Sequence, residues 1–352
     1  MDAEHMVLAP AFKEKNVAVF CSTDDRFALY AGVLMGSIIE HASPEWNYDL
    51  IILEDGVSEL KKEKIRRLAE GRPNVSIRLC CVAELMEGKK FPVEAGYSIA
   101  IWYRLFAATI FRHYEKIVYL DCDVAVLDDI AKLYHADMGD NWLAGCTDVG
   151  IVGMAQRPKL RQYYRDVIGY DDVTEYVNSG VLIFNISQFH QHKVEEACVE
   201  AALGNRFRHQ DQDTLNYVCR GHIFLLDLGW NVLPPRVSRN NLPPEILKLW
   251  QEKAKRPSLV HFVGEKPWAN PTTEYASLWW ELARRSPLYE EVFHTNLVSL
   301  IRDVAMLSRN KWRYFWLNML SKVTIGWLHQ DIRAKKRNVK TRIERAKKIL
   351  AS

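Results

Sequence analysis

The 352-residue chain has no apolar run long enough to cross a bilayer, no Cys-x-x-Cys pair among its 7 cysteines, and no internal repeat or low-complexity tract. The first absence leaves no membrane-spanning helix to expect. The second argues against a zinc site or a disulfide frame. Cys21, Cys80, Cys81, Cys122 and Cys146 fall within or beside apolar runs and read as buried free thiols of a reducing cytoplasm. Residues 1–16 carry early Asp and Glu and no apolar stretch of signal-peptide length, so a cytosolic or peripheral protein is expected.

Basic charge is scarce over most of the length. From Leu300 onward the chain carries 14 Lys or Arg against 3 Asp or Glu, whereas the remainder carries 33 against 41. The net +3 therefore belongs to the tail, and the mildly acidic body argues against nucleic acid as a ligand. With 48% hydrophobic and 26% charged residues, the rest reads as an ordinary globular protein with a substantial core.

Short β-rich runs alternate with helical patterns in the N-terminal half. Asn16 to Ser22, Tyr48 to Leu53, Val75 to Cys80 and Ile117 to Leu120 read as strands. Arg26 to Glu40, Ser58 to Ala69 and Ile99 to Phe111 read as the helices between them. Crossovers of this kind imply a mainly parallel sheet whose ligands gather at the carboxyl ends of its strands. Trp142 to Cys146, Val177 to Asn185, His222 to Leu226 and Ser258 to Phe262 read as further strands, and a helix begins at Asp211. Composition changes near Ser286, which divides the chain into a tail (1–15), a catalytic domain (16–285) and a helical, basic extension (286–352).

What stands at the strand ends carries the chemistry. Asp121-Cys122-Asp123 closes the run Ile117 to Leu120, and two carboxylates one residue apart can clamp a hard divalent cation or simply start a loop. Asp24, Asp25 and Phe27 follow the first strand, as a base-binding group or as a helix-capping turn. Arg104 lies in an otherwise apolar segment, either facing an anion or snorkelling to the surface. Asn178-Ser179-Gly180 opens an apolar strand, where glycine marks a ligand neighbour or tight packing. His209 to Asp213 is a polar stretch before a helix. His261 to Trp268 (HFVGEKPW) offers a third cation ligand in His261 and a diphosphate partner in Gly264 and Lys266.

In this order, with Asp137 to Trp142 and Gln210 to Asn216, these segments resemble glycosyltransferase family 8, in particular its bacterial lipopolysaccharide α-galactosyl- and α-glucosyltransferase branch, over about Val17 to Trp280. The resemblance implies a GT-A fold and retaining transfer of galactose or glucose from UDP-galactose or UDP-glucose to a glycan or lipid-linked acceptor of a surface polysaccharide. It implies manganese, with magnesium as the alternative, held by Asp121, Asp123 and His261. It implies Asp24 and Phe27 at the uridine and Arg104 beside the donor. Asp148, Asn178, Asp211 and Gln212 would surround the sugar, with Gln212 near the reactive carbon, and Gly264 and Lys266 would hold the diphosphate. Asp25, Cys122 and Ser179 complete the expected donor site. One residue rather than the family's frequent two separates Gly264 from Lys266.

Trp312, Phe315, Trp316, Met319, Leu320, Val323 and Trp327 recur at helical spacing, ahead of a basic segment from Arg333 to Lys348. Residues 309–352 read as an amphipathic attachment to an anionic membrane surface, or as a helix packed on its own domain or a second subunit. Two other functions fit parts of the sequence. A haloacid-dehalogenase-type phosphatase would use Asp121 as nucleophile but leaves His261 to Trp268 without a role, and a priming protein would glycosylate itself.

Overall fold

The computed structural model describes residues 6–93, 98–234, 241–323, 335–341 and 343–344. Nine strands are described: β1 Asn16–Asp24, β2 Asn47–Asp55, β3 Val75–Cys81, β4 Lys116–Leu120, β5 Val124–Val126, β6 Leu143–Thr147, β7 Val177–Asn185, β8 Ile223–Leu225 and β9 Leu259–His261. Seven of them form one sheet in the order β3-β2-β1-β4-β7-β6-β8, and β5 and β9 form a separate pair.

The inner strands β2, β1, β4, β7 and β6 are apolar runs rather than alternating patterns because both faces of the sheet are covered there. In β1, Val17, Val19 and Cys21 enter one buried cluster, while Ala18 and Phe20 enter the other. Helix Ala28–Glu40 is buried on nearly every side. Strands β3, β2, β1 and β4 run parallel, as expected, and the pairing of β6 with β8 is also parallel. Strand β7 runs antiparallel to both β4 and β6. From β1 the chain winds outward through β2 to β3 and returns to place β4 on the other side of β1, so the strand order reverses between β1 and β4. A ligand crevice is expected at the carboxyl ends of those two strands, and Asp24 and Asp121 stand there.

Several sequence-based boundaries shift. The segment expected to be one helix over Ile99 to Phe111 is a 3-10 helix, Ile99–Phe106, followed by a short α-helix, Ala107–Ile110. The helix expected over Ser58 to Ala69 is Glu59–Arg66 with a 3-10 turn after it. All 7 cysteines are free, but Cys80 is half-buried and Cys81 is exposed, because β3 is an edge strand. A long helix spans Tyr289–Val323; Leu288 and Val292 are buried in the core, and Asn296 Oδ1 accepts a hydrogen bond from Tyr30 at 3.1 Å. Trp327, and within the basic segment Arg333, Ala334, Arg342 and residues 345–348, lie outside the described residues.

The segment before β1 is held by a buried carboxylate in β2. Asp49 accepts from the Ala11 amide at 3.0 Å, from Tyr114 at 2.8 Å and from Arg78 at 2.7 Å, and Arg78 also donates to the Ala9 carbonyl at 2.9 Å. Removing the guanidinium leaves a buried anion with weaker compensation. Arg78→Met is expected to cost about 2–3 kcal/mol of stability, read as a lower urea midpoint at unchanged slope; an unchanged midpoint would contradict this account of Asp49.

Candidate active site

The carboxyl end of β4 and the start of β7 are locked together by backbone pairing, which continues past the strand as the Asp121 amide donates to the Gly180 carbonyl at 2.9 Å. Strand β5 then pairs antiparallel with β9, setting Val124 opposite His261. This brings a distant histidine to the Asp-x-Asp pair. Asp121 Oδ2 lies 3.6 Å and Asp123 Oδ1 3.4 Å from His261 Nε2. Among the described residues these three side chains are grouped so that one ligand atom of each lies within 4.8 Å of the others. The donor set of two carboxylates and an imidazole suits a hard or borderline divalent cation.

Each member is oriented by a neighbour. Asp121 Oδ1 accepts from Tyr119 at 2.6 Å and from Arg104 at 2.8 Å, which leaves Oδ2 facing the histidine. His261 Nδ1 lies 3.1 Å from Asn231 Oδ1, an acceptor that orients the ring through an Nδ1 proton and turns Nε2 toward the two carboxylates. Asp123 bonds to Lys266, which also donates to the Phe262 carbonyl at 2.9 Å. Burial alone would raise the Asp123 pKa, but Lys266 and His261 outweigh it and hold the carboxyl well below the usual range.

Arg104 is 3% exposed and so does not snorkel to the surface. It ion-pairs with Asp121 at 2.8 Å and Asp211 at 3.1 Å, donates to the Ser179 carbonyl at 2.7 Å, and lies 4.0 Å from the centre of the Tyr119 ring. Burial works against its charge, but the two carboxylates prevail and its pKa rises. Burial raises the Asp211 pKa, and Asp121 adds to the rise while Arg104 opposes it.

Asp148, Asn178, Ser179 and Gln212 form one buried hydrogen-bonded group. Gln212 donates to Asp148 Oδ2 at 3.0 Å and accepts from the Ser179 amide at 3.0 Å and from Asn178 at 3.2 Å. Asn178 also donates to Asp148 at 2.9 Å and accepts from Asn231 at 2.9 Å. The other Asp148 oxygen caps the helix Val149–Met154 by accepting from the Ile151 amide.

These groups surround a cavity of about 390 Å3. Asp24, Phe27, Arg104, Asp121, Cys122, Asp123, Asp148, Asn178, Ser179, Asp211, Gln212, His261, Gly264 and Lys266 all line it. Asp24 also closes its own turn, accepting from the Arg26 amide at 2.9 Å and the Phe27 amide at 3.2 Å. Gly264 adopts φ +87°, open to glycine without strain. Asp25 does not line the cavity, because its carboxylate turns to Lys61 at 2.7 Å and the Ser58 amide at 3.0 Å. Two residues that sequence reasoning missed are Asn231 and Tyr119. Asn231 sits between apolar residues with no motif around it, and Tyr119 looked like one more apolar strand residue.

Comparison with known proteins follows the same lines. The model of a family described as Glycosyl transferase family 8 matches residues 18–272. General stress protein A of Bacillus subtilis (strain 168) is 23% identical over 292 residues, covering 80% of this chain and 93% of its own. Lipopolysaccharide 1,2-glucosyltransferase of Escherichia coli (strain K12) is 24% identical over 229 residues, 63% of this chain and 64% of its own. Among solved structures, galactosyltransferase LgtC in complex with donor and acceptor sugar analogs has a TM-score of 0.64 at 26% identity, covering 77% of this chain and 96% of LgtC. The bifunctional glycosyltransferase WbbM has a TM-score of 0.74 at 28% identity over 82% of this chain, which spans only 53% of WbbM.

Gly180 offers the sharpest check on the cation group. A Cβ there would overlap the His261 ring and lie 2.7 Å from its Nδ1 and 2.8 Å from Asp121 Oδ2. Gly180→Ala is therefore expected to weaken Mn2+ binding at least about tenfold, measured by calorimetric titration on protein whose circular dichroism is unchanged. Unaltered affinity in such a folded variant would contradict the assignment.

Proposed function

Because this chain belongs to glycosyltransferase family 8, we propose that it moves a hexose, galactose or glucose, from a UDP-sugar to a glycan or lipid-linked acceptor of a bacterial surface polysaccharide, with retention of anomeric configuration. Its fold is GT-A, a mixed, mainly parallel sheet flanked by helices. Membership sets aside the phosphatase alternative, and the Asp121 oxygen bound to Arg104 and Tyr119 is a poor nucleophile. The observation that carries the donor reading is the convergence of Asp121, Asp123 and His261 on a cavity that Asp148, Asn178, Ser179 and Gln212 also line. Names of two relatives, a lipopolysaccharide 1,2-glucosyltransferase and a lipopolysaccharide 1,3-galactosyltransferase, support the choice of hexose and acceptor class.

Asp121, Asp123 and His261 would hold manganese, or magnesium in its place. A bound ion of this kind neutralises the diphosphate and improves UDP as a leaving group. Asp24 and Phe27 serve the uridine end. Lys266, with the open backbone of Gly264, supplies positive charge where the leaving oxygens gain negative charge. Asp148, Asn178, Ser179 and Asp211 position the hexose. The Gln212 amide, fixed by three hydrogen bonds, presents its remaining surface toward the reactive carbon. An amide is a weak nucleophile and Asp211 is paired with Arg104, so attack on the face that UDP leaves is favoured, with the accepting hydroxyl's proton passing to a departing phosphate oxygen.

The test is UDP release from UDP-glucose and UDP-galactose with Mn2+. Release is expected to stop on chelation and to fall at least about 100-fold in kcat for Asp123→Asn and Gln212→Ala; metal-independent release, or full transfer by Gln212→Ala, would overturn these roles.

The extension supports a peripheral membrane site. No helix among the described residues is long and apolar enough to cross a membrane. Yet Trp312, Phe315 and Trp316 are 65%, 52% and 57% exposed, with Lys311 and Arg313 exposed beside them. Aromatic bulk with flanking cations suits the interface of an anionic bilayer at the inner face of the cytoplasmic membrane, where a lipid-linked acceptor resides. Changing all three aromatics to Ser is expected to abolish flotation with anionic phosphatidylglycerol vesicles while leaving UDP release intact; retained flotation would favour a protein partner for this face.

A further inference from the structure

Helix Val194–Gly204 hands over to helix Gln210–Cys219 through the segment 205–209. Phe207 anchors that turn by packing into the cluster of Ile151, Tyr164 and Tyr176. The Arg208 amide then donates to the Tyr163 hydroxyl at 2.9 Å, so the backbone is pinned on both sides. What projects from it is unspent. Arg208 is exposed, lines the cavity, and among the described residues has no ion-pair partner for its guanidinium. Its position on the wall near Tyr163 sets it apart from Lys266, which bonds to Asp123.

Gln210 adds an independent sign of a ligand. It is 6% exposed and lines the same cavity. Both polar atoms of its side chain are buried without a hydrogen-bond partner, a costly state that a bound molecule would relieve. Its φ of +37° places a glutamine in the left-handed region, where strain clusters at ligand-binding positions. Ile151 and Met154 also line the cavity and give it apolar surface. This part adjoins the Asp148, Asn178 and Gln212 group, so it lies at the sugar end rather than the uridine end.

We propose that Arg208 and Gln210 form an anion subsite next to the hexose, and that the acceptor carries a phosphate or carboxylate on the sugar that receives it. A guanidinium pairs with such oxyanions through parallel N–H donors, and the Gln210 amide bonds a neighbouring hydroxyl. The proposal rests on the transferase reading, and the same negative charge can sit instead on the donor, as the carboxylate of a uronic acid.

The full chain, saturated with Mn2+ and UDP to fill the donor diphosphate site, is titrated calorimetrically with glucose 6-phosphate and with glucose. Glucose 6-phosphate is expected to bind at least about fivefold tighter. Arg208→Ala is expected to erase that difference while UDP affinity stays within about twofold. Equal binding of the two sugars, or a preference that survives in Arg208→Ala, overturns the subsite. A second arm compares donor hydrolysis of UDP-glucuronate and UDP-glucose: no preference that depends on Arg208 supports the acceptor assignment, and faster turnover of UDP-glucuronate that Arg208→Ala removes overturns it in favour of the donor. Failure to bind UDP at all would sink the transferase reading, and the subsite with it.

Discussion

A single buried guanidinium makes the site possible. Asp121, Asp123 and Asp211 are gathered in a small volume, and carboxylates that close to one another cannot all stay ionised without compensation. Arg104 supplies it for two of them, and Lys266 for the third. Arg104 also bonds the Ser179 carbonyl, so one side chain joins the end of β4, the start of β7 and the first turn of the helix Gln210–Cys219. Arginine suits this task better than lysine, since its flat fork serves several acceptors at once and never loses its proton. Tyr119 completes the arrangement, with its ring against the guanidinium and its hydroxyl on Asp121.

From there, order passes through a chain of amides. His261 is oriented by Asn231, Asn231 bonds Asn178, and Asn178 bonds both Asp148 and Gln212. The cation group and the sugar group are thus one buried network, in which each of these links is satisfied by a partner. Such a network is rigid because leaving any buried polar member unpaired is costly. For the proposed transfer such rigidity would have a chemical use, because groups fixed before the reaction need no reorganisation as charge develops on a leaving diphosphate.

Much of this was legible in the sequence, for identifiable reasons. Strands β1, β2, β4 and β7 are continuous apolar runs because they are buried on both faces, and Asp121, Asp123 and His261 stand out as ionisable groups at strand ends. The three-residue strand β5 was not legible, since Val124–Val126 is too short for periodicity, yet its pairing with β9 is what brings His261 to Asp123. Asn231 was hidden because its value depends on a hydrogen bond to a histidine distant in sequence. Arg104 left two readings open that only its burial could separate. Asp25 looked equivalent to Asp24, but Lys61 on the following helix turns it away from the cavity.

The central claim is that Asp121, Asp123 and His261 share one cation. Pulsed electron paramagnetic resonance on the full chain with one equivalent of Mn2+ and excess UDP tests it most directly. The account predicts nitrogen modulation from a coordinated imidazole, absent in His261→Ala. Bound Mn2+ without that modulation in the unaltered chain, or with it retained in His261→Ala, would contradict the account.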